Sequence, residues 1–261
     1  MLPASAPPLP ATDGHAVYRL RSARLAASAK PFVARGSGGG RCDRCRLVAS
    51  HCVCDWRPQV RTRAGVCLIM GDIEALKPSN TGWLVADVVA DTWAFGWSRT
   101  AVDPGLPALL ADPQWQPCLV FPGEFVSPQR VVTSLEPMLA STGAQGGGRK
   151  PLFVLLDGTW SEARKMFRKS PYLDHLPVLS LQPDQVVSNY RLRRSARDNH
   201  FCTSEVAAMC LALAGETRAA EALAAWLDVF TAHYLSARRS APLDRGSDAH
   251  VRLQALEKTA V

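Results

Sequence analysis

Leu155-Leu156-Asp157-Gly158-Thr159-Trp160-Ser161-Glu162-Ala163-Arg164-Lys165-Met166 is the stretch on which the fold turns. It follows Pro151-Leu152-Phe153-Val154, so an apolar run ends on an acid. An apolar run without polar alternation reads as a strand buried on both faces, as in a parallel sheet. Gly158 supplies a tight turn. Thr159 and Glu162 have the spacing of a capping box, which marks a helix start. Asp157 therefore falls at the carboxyl end of a strand, where open α/β sheets bind ligands, beside the N–H groups of a new helix.

Outward from this unit, short apolar strands alternate with helices. Residues 66–70, 92–97, 118–121 and 178–181 read as strands, and residues 81–89 and 160–169 as helices, the latter stopped by Ser170-Pro171. Two more helices follow. Val206, Met209, Cys210 and Leu213 share a face of the first; Leu223, Trp226, Leu227, Phe230 and Tyr234 share a face of the second. The expected fold class is α/β, a mostly parallel sheet with flanking helices. The expected division is a disordered, basic extension over residues 1–40, a metal-binding module over 41–64, a catalytic domain over 65–238 and a polar tail over 239–261. Within the extension, residues 16–25 fit a short basic helix and Gly36–Gly40 a linker. Gly143–Gly148 reads as a loop or connector.

The chain has 261 residues, enough for one substantial core and a small appended module. No apolar run approaches the ~18 residues of a membrane helix. Pro3, Pro7, Pro8 and Pro10 interrupt any signal-like segment, so a cytoplasmic location is expected. The Arg-rich, acid-poor start also resembles a transit peptide, but the same prolines weigh against it. Net charge is +7 and the pI about 9.2, which favours a polyanionic partner such as nucleic acid; a merely basic protein is the plain alternative. Neither a G-x-G-x-x-G opening a helix nor a Walker A sequence is present, so a dinucleotide fold or P-loop is unsupported. Nothing in the sequence calls for an obligate protein partner.

Four of the eight cysteines form Cys42-x2-Cys45-x6-Cys52-x-Cys54. Four thiolates this close suit the closed tetrahedral shell of a structural zinc; an iron–sulfur cluster also takes four. Such a shell leaves no position open for substrate, so the metal reads as structural. His51 reads as a bystander. Arg41, Arg44, Arg46, Arg57, Arg61 and Arg63 surround the cluster, either as a basic rim that grips RNA or as a solvated surface.

Four ordered blocks carry a resemblance: Lys77-Pro78-Ser79-Asn80-Thr81-Gly82, Asp157-Gly158-Thr159-Trp160, Ser188-Asn189-Tyr190-Arg191-Leu192-Arg193 and Cys202-Thr203-Ser204-Glu205-Val206-Ala207. From about residue 41 to about 235 the chain resembles the DTW-domain family, which resembles tRNA-uridine aminocarboxypropyltransferases. The resemblance implies a knotted, SPOUT-like α/β domain. It implies transfer of the 3-amino-3-carboxypropyl group of S-adenosylmethionine to uridine N3 in tRNA. The rivals are a methyltransferase using the same cofactor and a non-catalytic zinc-containing RNA-binding protein.

On that reading Asp157 is the catalytic base or orienter, although an acid there also fits a plain cap. Thr159, Trp160, Ser188, Arg191 and Thr203 are expected at the cofactor. Thr159 also fits a cap, and Trp160 a packed side chain. Asn80, Thr81, Arg164, Arg168 and Arg193 are expected at the RNA or substrate. Arg164, Lys165, Arg168 and Lys169 lie on one helical arc, a spacing that phosphates would favour; cations near a helix C-terminus also complement its dipole. The resemblance implies an arginine at position 83, which here is Trp83; Arg99 is a candidate to supply that charge.

Overall fold

A computed structural model describes residues 14–30, 32–33, 40–136, 148–181 and 201–258. The sheet has six strands: β1 (Gly65–Met70), β2 (Thr92–Gly96), β3 (Trp115–Val120), β4 (Val131–Val132), β5 (Lys150–Asp157) and β6 (Val178–Leu179). Their order is β2-β1-β5-β3-β6-β4, and every pairing is parallel. The expected parallel α/β fold is present. β5 is inserted between two strands that precede it in the chain, so the run that ends on Asp157 is central.

Strand alternation splits the core into two layers. Val66, Leu68 and Met70 of β1 and Phe153 and Leu155 of β5 face one side. Cys67 and Ile69 of β1 and Leu152 and Val154 of β5 face the other. Because side chains alternate with period two, burial on both faces demands the unbroken apolar runs read in the sequence. The first side is covered by α1 (Ala16–Ala26), α2 (Gly82–Val88), α5 (Thr203–Leu213) and α6 (Thr217–Arg239). The second is covered by α3 (Gly105–Ala111) and α4 (Trp160–Arg168). By its parity with Phe153 and Leu155, Asp157 points to the α2 and α5 side.

Several expectations shift. The buried face of α5 is Ser204, Ala207, Cys210 and Leu211, whereas Leu213 is 48% exposed. The stripe rotates because α5 meets the sheet and α6 at once. In α6 the expected face holds, with Leu223, Trp226, Leu227 and Phe230 buried. Helix α1 is packed rather than loose: Val17 is buried in the core, and Arg24 makes a two-pronged contact with Asp72. The segment read as a polar tail contains α7 (Asp248–Lys258), which buries Leu253 and His250.

That last helix is held by a chain of imidazoles. His233 Nδ1 lies 3.0 Å from the His51 carbonyl, His233 Nε2 lies 2.9 Å from His250 Nε2, and His250 Nδ1 lies 2.8 Å from Ser247 Oγ. A carbonyl only accepts, so His233 carries its proton on Nδ1. It follows that His250 donates through Nε2 and accepts from Ser247. The chain ties α6 and α7 to the cysteine cluster. Burial is the main force lowering the pKa of His233, to about 4, so both rings are neutral near pH 7.

Candidate active site

Asp157 is 4% exposed and sits at the carboxyl end of central β5. Its backbone carbonyl accepts from Gly71 N–H, just past β1, at 2.8 Å. Its carboxylate accepts from two directions. Asn80 Nδ2 donates to Oδ2 at 2.7 Å, and Thr203 Oγ1 donates to Oδ1 at 2.6 Å. Asn80 ends the turn before α2, and Thr203 opens α5. Three separate sequence blocks therefore meet on one carboxylate. The amide of Asn80 has a determined orientation, because its Oδ1 accepts from Trp83 N–H at 2.9 Å. Its second N–H faces Glu74 Oε2 at 3.5 Å. Glu74 is fully buried and pairs with the Lys77 ammonium.

Gly82 opens α2 against this carboxylate. A Cβ there would overlap Asp157 Oδ2 and lie 3.2 Å from its Cγ and 3.3 Å from Leu68 Cδ1. Thr81 is buried, and its hydroxyl lies on the side of the Cys202 thiol, where it favours the thiolate. Burial chiefly, with the Glu205 charge beside it, raises the pKa of that thiol well above its ordinary value. Glu205 closes the start of α5, accepting from Cys202 N–H at 2.8 Å.

Thr159 caps α4. Its hydroxyl donates to Glu162 Oε2 at 2.6 Å and accepts from Glu162 N–H at 3.3 Å, and Glu162 also accepts from Thr159 N–H at 2.8 Å. The capping box read from the sequence is thus complete. Trp160 is 40% exposed and stacks on Phe121 at 5.7 Å between centroids, while Phe121 stacks on Phe167 at 4.5 Å. Arg164 is exposed and lies 4.5 Å over Phe125, and Arg168 is exposed one turn further on. Ser188, Arg191 and Arg193 lie outside the described residues, as does the stretch 143–147.

The cysteine cluster closes. The four Sγ atoms lie within 4.8 Å of one another, with Cys42 and Cys54 at 3.6 Å and Cys45 and Cys52 at 3.6 Å. Zinc–sulfur bonds of about 2.3 Å in a tetrahedron set sulfurs about 3.8 Å apart, so the donor set fits such an ion. Burial pushes the Cys45 thiol up to about 11, and burial followed by the Cys45 charge pushes Cys54 higher. Burial raises Cys42 too, but backbone groups of Cys45 and Arg44 bring it below its ordinary value.

One member of the expected basic rim is not on the rim. Arg46 is 2% exposed and has φ of 69°, in the left-handed region. For a residue with a Cβ that conformation costs about 1–2 kcal/mol. Its Nη1 donates to the carbonyls of Asn80 at 3.0 Å and Lys77 at 3.2 Å. The guanidinium lies 4.3 Å from the Trp83 ring and 5.2 Å from that of Phe230. A sequence reading assigns an Arg in a basic stretch to the surface, and no local pattern marks this one as buried. Arg57, also expected on the rim, reaches Asp87 at 3.8 Å. Glu74 was missed as well; its only sequence signal is the i,i+3 spacing to Lys77.

The class is thus an open, all-parallel α/β protein with a cluster of four cysteines that could hold a metal ion and a buried carboxylate at its central strand end. The DTW domain family model matches residues 39–235, and the chain belongs to that family, which is associated with tRNA modification. No solved structure matches the chain. Among the described residues no helix is long and apolar enough to cross a membrane.

Proposed function

We propose that the protein transfers the 3-amino-3-carboxypropyl group of S-adenosylmethionine to N3 of a uridine in tRNA. The observation that carries this reading is the meeting of Asn80, Asp157 and Thr203, from three blocks of the DTW resemblance, at the carboxyl end of a central parallel strand. In the reaction a bond forms between uridine N3 and the methionine γ-carbon. The bond from that carbon to the sulfonium breaks, and its electron pair neutralises sulfur, so methylthioadenosine leaves. The N3 proton is lost. The leaving group is already activated, so the protein's main contribution is alignment and proton acceptance.

Asp157 is the acceptor of that proton or of a hydrogen bond from N3–H. The donors on both of its oxygens make it a fixed acceptor, not a freely turning carboxylate. Asn80 and Thr203 act through it by holding its plane. Thr81 supports the same loop from the Cys202 side. Thr159 acts as the cap that orients the first N–H groups of α4, and Trp160 offers a ring face beside them. Arg164 and Arg168, with Arg193, are the cations for RNA phosphate, and Ser188 and Arg191 belong with the methionine end of the cofactor. A zinc ion held by Cys42, Cys45, Cys52 and Cys54 supplies structure and no catalytic position.

Asp157→Ala is the test. Transfer is expected to fall by at least about 10³-fold while tRNA affinity changes little, since phosphate contacts dominate affinity. Wild-type turnover in that variant would remove Asp157 from the reaction.

A further inference from the structure

We propose that Arg46 is a positioning residue that ties the cysteine module to the Asp157 site by gripping the loop that carries Asn80. The proposal rests on Asp157 acting in the reaction, as argued above.

The geometry runs in a continuous series. Arg46 follows the ligand Cys45 directly, and its left-handed backbone closes the knuckle: Arg46 N–H donates to the Cys42 carbonyl and Cys42 N–H to the Leu47 carbonyl, both at 2.8 Å. A residue forced into this conformation is usually Gly or Asn. Here it is an arginine whose side chain runs inward. Its two carbonyl partners, of Lys77 and Asn80, bracket the Pro78-Ser79 turn. Asn80 N–H closes the same turn onto the Lys77 carbonyl at 3.0 Å. The side chain of Asn80 then meets Asp157 at 2.7 Å. Between Trp83 and Phe230 the guanidinium is also fixed in plane. A planar fork over an aromatic face is a task for Arg that Lys performs poorly. Cys45 is thus joined to the Asp157 carboxylate through two residues, by the side chain of Arg46 and then that of Asn80.

The chain carries its own reporters. Cys67, Cys118 and Cys210 are buried in the core layers and report on the fold as a whole. Cys42, Cys45, Cys52 and Cys54 report on the module. Cys202, a partly exposed residue at the start of α5 next to Thr203, lies on the side of Thr81 and reports on the loop next to Asn80. A thiol kept protonated by burial reacts slowly until its cover opens.

The experiment is site-resolved alkylation by iodoacetamide, read by mass spectrometry, on full-length metal-loaded wild type, Arg46→Asn and Arg46→Lys. Asn tolerates the left-handed backbone, so Arg46→Asn removes the side chain with little disturbance to the knuckle. The expected result is unchanged metal content and core thiols protected as in the wild type. Cys202 should be labelled at least about tenfold faster. The kcat should fall about 10- to 100-fold with KM for S-adenosylmethionine little changed, and Arg46→Lys should lie between. Cys202 protected as in the wild type would overturn the proposal. So would a parallel rise at Cys67, Cys118 and Cys210, which would make Arg46 a general support of the fold. The labelling needs no turnover, so failure of the transferase reading would show separately, as an inactive wild type.

Discussion

Gly82→Ala tests whether the Asp157 carboxylate must sit where it does. A methyl group at position 82 would overlap Oδ2 and come within 3.2 Å of Cγ. Ordinary carbon–carbon contacts are about 3.5–4.0 Å, so the carboxylate or the helix must move, by on the order of 1 Å for the oxygen, which is nearer still. Neither moves freely. The Asp157 backbone is tied to Gly71, and every residue of α2 is buried. Helix propensity favours Ala over Gly by about 0.5–1 kcal/mol, whereas overpacking a core costs about 1–3 kcal/mol. The net loss of stability is about 1 kcal/mol, or a few degrees in Tm. Catalysis loses more, because a 1 Å misplacement of a reacting group can cost about 10²-fold, equivalent to about 2.7 kcal/mol. Methylthioadenosine release under single-turnover conditions, with Tm measured alongside, separates the two effects. Turnover within about twofold of the wild type would refute the claim that the Asn80–Asp157 geometry matters.

Thr159→Ala should remove the capping hydrogen bond, cost about 1 kcal/mol and lower Tm by about 2–4 °C in thermal unfolding, with the fold unchanged. Elemental analysis should find one zinc per chain. Stripping it with a chelator should lower Tm and expose Cys42 and Cys54 to alkylation before Cys67 or Cys118; a folded, metal-free protein with unchanged Tm would contradict the structural role. Acid should destabilise the protein through His233. Its folded pKa is about 4 against an ordinary 6.5, so the unfolded chain takes up the proton first as pH falls. The contribution of His233 to stability should be lost as pH falls from about 6.5 to about 4 and change little below that. His233→Gln should flatten that slope in urea unfolding measured across the window.

What could be read from the sequence was local or periodic. The β5–Gly158–α4 unit was legible because strand, turn and cap follow within a few residues, and the structure matches it to the hydrogen bond. The cysteine cluster was legible because four cysteines within 13 residues need no knowledge of the fold. Unread elements lack such signals. Strand β4 has two residues and is defined through pairing with β6. Helix α3 has seven residues and contains Pro107. Helix α7 was hidden because little more than Leu253 and His250 turns inward. The site itself is non-local. Asn80, Asp157 and Thr203 were each picked out, but that one carboxylate holds all three follows from β5 lying beside β1, with α2 and α5 on the same face. Arg46 was placed with the wrong neighbours because burial of a cation depends on carbonyls and rings far along the chain.

The central claim is most directly tested by incubating the metal-loaded protein with bulk tRNA and S-adenosylmethionine, then identifying both modified nucleosides and cofactor by-product by mass spectrometry. Methylthioadenosine in step with an aminocarboxypropyl-uridine is the expected pair. S-adenosylhomocysteine with a methylated nucleoside, or no RNA-dependent by-product at all, would contradict it.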